Sequence, residues 1–182
     1  MQKTSIILLI GLVCLSSFNS TPNPVNGVHP IQQTDILAGI WKYINGNEVF
    51  IVNIWRMSDG YRGHYKKIIV DANGNQVSEV YNSYKPIGNS TTYWPYSIYS
   101  GNISTDFEVR AVLSDNTVTN APNGGGFLEA VLEIKILNPN CFTPPTNACP
   151  LQAQWTVKKD NGVQNPDDPP LSVPTNIVLT KQ

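Results

Sequence analysis

The clearest pattern in the chain is an alternation of period two. Leu128, Ala130, Leu132, Ile134 and Ile136 alternate with Glu129, Val131, Glu133 and Lys135. A strand with one face on a core and one face in water produces that spacing. On a helix the even-numbered apolar set would scatter around the axis. The same rule predicts a strand over residues 105–113, with Phe107, Val109, Ala111 and Leu113 on one face. Another is predicted over 151–157, with Leu151, Ala153, Trp155 and Val157 inward. Further strands are predicted over 39–57, with a kink at Asn45-Gly46-Asn47, and over 61–70, 76–84, 93–100 and 173–180. Turn chemistry separates them at Ser58-Asp59-Gly60, Asp71-Ala72-Asn73-Gly74-Asn75 and Gly101-Asn102. The second of these spaces its oxygen side chains like a calcium loop, but Glu79 lies too near to close one, and Asn73-Gly74 reads as a tight turn.

Eight strands joined by short turns predict an all-β fold, an antiparallel up-and-down eight-stranded barrel, since closure removes exposed sheet edges. A two-sheet β-sandwich is the alternative. An eight-stranded barrel is either filled by its own side chains or holds one small ligand.

Ahead of the strands, Lys3 precedes an apolar stretch over residues 6–15 broken only by Gly11, and Ser16 and Ser17 follow. Residues 1–20 therefore read as a signal peptide, too short to span a bilayer, and no later stretch is long enough to be a transmembrane segment. A lipoprotein signal wants small residues before its cysteine. Leu12 and Val13 precede Cys14, so Cys14 reads as part of the signal and not as a lipid anchor. Residues 21–33, with three prolines and no periodicity, read as an extended lead-in, and residues 34–182 as one barrel domain. The expected address is periplasmic or extracellular. There Cys141 and Cys149, bracketing a Pro-Pro loop, are expected to form a disulfide.

Composition narrows the partners. Charged residues are 14% of the 182, the net charge is −1, and the longest basic runs are Lys66-Lys67 and Lys158-Lys159. A nucleic-acid partner is not expected without a clustered basic surface. Two thiolates with no further ligands nearby do not make a metal site, and no cofactor motif is present. Catalysis lacks parts too. There is no Gly-x-Ser-x-Gly elbow and no His pair at metal spacing, and His64 reads as an exposed strand residue. Glu108, Glu129 and Glu133 lie opposite the apolar sets and are assigned to solvent. An enzyme is therefore not expected. Asn89-Ser90-Thr91 and Asn102-Ile103-Ser104 match the glycosylation acceptor pattern, which matters only in a eukaryotic secretory route.

One stretch stands out chemically. Tyr81, Tyr84, Tyr93, Trp94, Tyr96 and Tyr99 crowd into a short segment. Flat amphipathic rings of this kind stack on apolar or sugar ligands, so they are candidates to line the mouth of a pocket. The other reading is packing between or along strands, where aromatics are common.

Leu37-Ala38-Gly39-Ile40-Trp41-Lys42-Tyr43 resembles the opening of lipocalins and other calycin-type barrels. With the signal, the Gly-Asn-Glu-Val-Phe continuation and the Ile-Val-Leu-Thr-Lys ending, the chain is similar to small secreted lipocalin-like proteins of Bacteroidota. The resemblance implies that Gly39 permits close backbone approach, that Trp41 plugs one barrel end, and that Lys181 lies across the indole. The second lipocalin signature, Thr-Asp-Tyr, is absent. The functional expectation is an exported protein binding a small apolar or amphipathic ligand. The alternative is a structural or interaction protein of the cell envelope with a filled barrel.

Overall fold

The computed structural model describes residues 35–101, 107–118, 126–142, 149–159 and 168–182. The proposed signal peptide, Cys14 and the lead-in lie outside the described residues. Among these, the regular structure is nine strands and one 3-10 turn, Pro139–Cys141. The strands are β1 (Gly39–Asn45), β2 (Glu48–Met57), β3 (Gly60–Val70), β4 (Gln76–Asn82), β5 (Ile98–Tyr99), β6 (Glu108–Asp115), β7 (Leu128–Ile136), β8 (Gln152–Lys159) and β9 (Asn176–Lys181). No helix among the described residues is long and apolar enough to cross a membrane.

Eight of the strands close into an antiparallel barrel in the order β1-β2-β3-β5-β6-β7-β8-β9, and β9 returns to β1 through Trp41↔Lys181 and Lys42↔Thr180. Each barrel strand neighbours the next one in the chain apart from β4. The fold is therefore an up-and-down barrel of lipocalin-like kind, not a sandwich. The ninth strand, β4, stands outside the ring. One edge of β3 serves two partners. Arg62 and Gly63 pair with β5, while residues 66–70 pair with β4 across two register shifts.

The count of eight is reached by different strands from those predicted. The expected long first strand is a hairpin. Asn45 pairs with Glu48, and Gly46 at φ 62° makes the two-residue turn. The expected third strand is β4 and leaves the ring. The expected strand over 93–100 shrinks to Ile98–Tyr99, because Pro95 has no N–H to give a ladder. Phe107 precedes β6 and is exposed, whereas Val109, Ala111 and Leu113 face inward as the alternation requires.

The alternation of β7 runs through the whole molecule and fills the barrel. Trp41, Val52, Leu113, Leu132, Ala153, Trp155 and Leu179 are all 0% exposed. A side chain bordering a void large enough for water would show exposure, so no such void lies against these residues. Phe50 fits edge-on against Trp155 at 5.5 Å between ring centroids and lies 6.0 Å from Tyr65. Such ring pairs contribute about 0.5–1.5 kcal/mol beyond area burial.

Candidate functional site

Four regions hold the polar chemistry. The first is the barrel end where β1 begins and β9 finishes. Asp35 accepts hydrogen bonds from the backbone N–H groups of Leu37 and Ala38 at 3.0 and 3.1 Å, turning the chain into β1. The same carboxyl oxygen accepts the Tyr61 hydroxyl at 2.7 Å, and Arg56 donates to Tyr61 at 3.1 Å. Burial, with the Asp35 contact, pushes the Tyr61 phenol far above its ordinary value. Trp41 donates its indole N–H to Leu37 at 2.8 Å. Lys181 Nζ lies 5.6 Å from the Trp41 ring centroid and 5.7 Å from that of Phe142, and donates to the carbonyls of Ile36 and Asp35. Burial holds the Lys181 amine below its usual value. Gly39 sits at φ +132° beneath the Lys181 stem, where an added Cβ would come within 2.9 Å of Cε. The Cys141–Cys149 disulfide anchors Phe142 beside this plug.

The opposite end is closed by a buried carboxyl. Asp115 accepts from the Tyr65 hydroxyl at 2.8 Å, the Ser172 N–H at 2.6 Å and the Thr117 hydroxyl at 2.9 Å. Ser172 and Thr117 also hydrogen-bond each other. The network joins the loop after β6 to the loop before β9 across the mouth. Desolvation, with Asp115 alongside, drives the Tyr65 phenol far up. Beside this mouth an open depression of about 440 Å³ is lined by Val157, Lys159, Asp168, Pro170, Leu171 and Thr175.

The third region is a shelf of rings on the outer wall. Inward Tyr61 and Tyr65 leave Arg62 and His64 facing outward from β3. Arg62 is only 7% exposed. It stacks on Tyr99 and Tyr96 at 4.0 and 5.1 Å, pairs with Asp59 at 2.7 Å and donates to the Ser100 carbonyl at 3.0 Å. Each cation–π contact contributes about 0.5–2 kcal/mol. His64 lies between Trp55 (5.6 Å) and Tyr84 (5.1 Å), and Tyr84 stacks on Tyr93 at 4.9 Å. It is half-buried and hydrogen-bonded, which corrects its reading as an exposed strand residue.

The structure divides the six clustered aromatics. Tyr81 turns inward, edge-on to Tyr65 at 6.2 Å, and burial raises its phenol strongly. Trp94 packs on Phe127. Tyr84, Tyr93, Tyr96 and Tyr99 are exposed on the outer wall. The four therefore face solvent from outside the barrel. Sequence reasoning missed Trp55 in this shelf. Its outward parity was readable once β2 was separated from β1, because Phe50, Val52 and Ile54 share the other face.

The fourth region lies at the two ends of the segment that carries these rings. Ser83, Ser97, Ser100 and Asn116 are buried there. Asn116 donates to the Ser83 carbonyl at 2.8 Å. The hydroxyls of Ser97 and Ser100 and the Asn116 carbonyl oxygen have no hydrogen-bond partner.

No protein-family model, curated protein or solved structure matches this chain.

Proposed function

We propose that this protein is an exported interaction protein of the cell envelope, whose filled barrel is a scaffold and whose working surface is the outer shelf of Tyr84, Tyr93, Tyr96, Tyr99 and Trp55. The observation that carries the reading is the contrast between a packed interior and four tyrosines left exposed outside. Rings in water are retained against their hydrophobic cost where they contact a partner. The occupant we assign is a neutral saccharide surface. Pyranose faces present C–H groups to the rings, and the rim offers uncharged donors and acceptors in Asn82, Asn89, Ser90 and Thr91. Of the cations at the shelf, Arg62 already has its carboxylate in Asp59. A small apolar ligand inside the barrel draws no support from the packing.

Export to the periplasm or the extracellular space is supported by the disulfide, since such bonds persist in oxidising compartments. Kinship with lipocalin-like barrels of Bacteroidota is supported by the Gly39, Trp41 and Lys181 arrangement.

The test is a glycan array followed by calorimetry on the mature chain, with Tyr84→Ala/Tyr93→Ala alongside. We expect neutral glycan binding that falls at least tenfold in the double variant while the melting temperature stays within a few degrees. Absence of glycan binding, or binding indifferent to both rings, would overturn the reading.

A further inference from the structure

Residues 83–97 cross the outer wall as a strap between β4 and β5. At one root the Ser83 N–H donates to the Tyr65 carbonyl, and at the other the Ser97 N–H donates to the Gly63 carbonyl, both at 2.9 Å. Between the roots the strap folds on itself through Pro86↔Tyr93, with Ile87 N–H to Thr92 and Trp94 N–H to Lys85. Among the described contacts its middle is held outward of these roots mainly by Trp94 on Phe127.

His64 adds a contact near each root. Its Nδ1 lies 3.2 Å from Ser83 Oγ. The ring also bonds the backbone of Pro95, which can only be its carbonyl, because proline has no N–H. Ser83 Oγ accepts the Tyr65 N–H at 2.9 Å, so its own proton is free to point at Nδ1. One neutral tautomer satisfies every atom: Nδ1 accepts from Ser83 and Nε2–H donates to Pro95. Protonation turns Nδ1 into a donor. The Ser83 hydroxyl proton then loses its acceptor in a side chain that is 0% exposed.

We propose that His64 is a proton-sensitive latch: neutral, it fastens the strap to β3 and holds Tyr84, Tyr93 and Tyr96 in the shelf; protonated, it lets the strap lift. Its meaning for binding rests on the saccharide reading above, but the latch itself does not. Burial favours release, and the Pro95 carbonyl, which binds the protonated ring more strongly, opposes it more weakly. Arg62 and Lys66 share the outer face of β3 with His64, and the strap brings Lys85, Tyr84 and Tyr93. The neighbours on β2, Asn53 and Trp55, and Ile98 on β5 do not titrate. No carboxylate is hydrogen-bonded to the ring among the described contacts. The Ser97 hydroxyl at one strap root and the Asn116 carbonyl oxygen beside the other are unpartnered, and water can satisfy them once the strap lifts. Burial holds the imidazole below its ordinary 6.5, so the lifted state takes the proton first.

The test is amide hydrogen exchange on the mature protein from pH 7.5 to 4.5, corrected for intrinsic rates, with the His64 ring protons followed by NMR. Protection at Ser83, Trp94 and Ser97 is expected to fall by up to tenfold per pH unit below 6.5, while β7 and β8 stay protected. In His64→Phe, which keeps a ring between Trp55 and Tyr84, the strap should lose its pH dependence. Equal protection at both pH extremes, or the same loss in His64→Phe, overturns the latch. Should that variant not fold, the wild-type curves decide. An exchange transition that does not track His64 titration overturns the proposal, and one that does supports it. Glycan binding enters none of these measurements, so failure here is distinct from failure of the saccharide reading.

Discussion

Leu132 and Val131 are adjacent on β7 and point through opposite sides of the barrel wall. Leu132 is 0% exposed and sits opposite Ala111 and Val157, while Val131 is 39% exposed. Leu132→Ala deletes about three carbons at about 0.8 kcal/mol each and leaves a cavity that neighbouring strands cannot fill without breaking register. The expected loss is about 3–4 kcal/mol, against about 1 kcal/mol or less for Val131→Ala. Urea unfolding monitored by tryptophan fluorescence measures both, with an unchanged slope marking a pure stability effect. In thermal melts the Leu132 variant should fall by roughly 6–16 °C. If the interior were loosely packed, no new cavity energy would be added, and the two truncations would converge. A difference below about 1 kcal/mol would refute the filled barrel and the outer-surface reading built on it.

Stability should also fall as pH drops below 6.5. The unfolded His64 accepts a proton there while burial keeps the folded ring neutral, and His64→Phe should remove that component from pH-dependent melts. Cys141→Ala/Cys149→Ala should lower stability by about 2–3 kcal/mol in chemical unfolding, since the bond closes a loop of sequence separation 8 in the unfolded chain. Gly60→Ala should destabilise by more than about 2 kcal/mol or prevent folding, because a Cβ there would lie 2.1 Å from the carbonyl oxygens of Ser100 and Gly101 at φ +138°. Lys181→Met, which keeps the stem but loses two hydrogen bonds and two ring contacts, should cost about 1–2 kcal/mol by the same assay.

Alternation located β7 to the residue because one of its faces is wholly buried and the other is exposed apart from half-buried Glu133. It could not separate β1 from β2, since apolar Ile40, Ile44 and Ile51 on the outward face mask the switch of inward positions from odd (Trp41, Tyr43) to even (Phe50, Val52, Ile54) across Gly46. Nor could it reveal that β4 leaves the ring. Val77 and Val80 keep strand composition yet are exposed, and only the competition between β4 and β5 for one edge of β3 decides which is wall. The aromatic cluster was legible as a cluster, but its sidedness depends on how the strap crosses β3, a contact between segments nearly twenty positions apart. The Asp115 network was not legible, because Asp115, Thr117 and Ser172 meet only when two barrel loops converge.

The two-residue β5 gives the ring an uneven hoop strength. Every other seam in the ring except the β9–β1 join is a long ladder, whereas β5 holds β3 and β6 by two residue pairs each. The ring is thus two curved blankets, β1-β2-β3 and β6-β7-β8-β9, buttoned together at β5 and at the β9–β1 join. Stretching or heating will part it at these short seams first, while the β6-β7-β8 sector still keeps its shape.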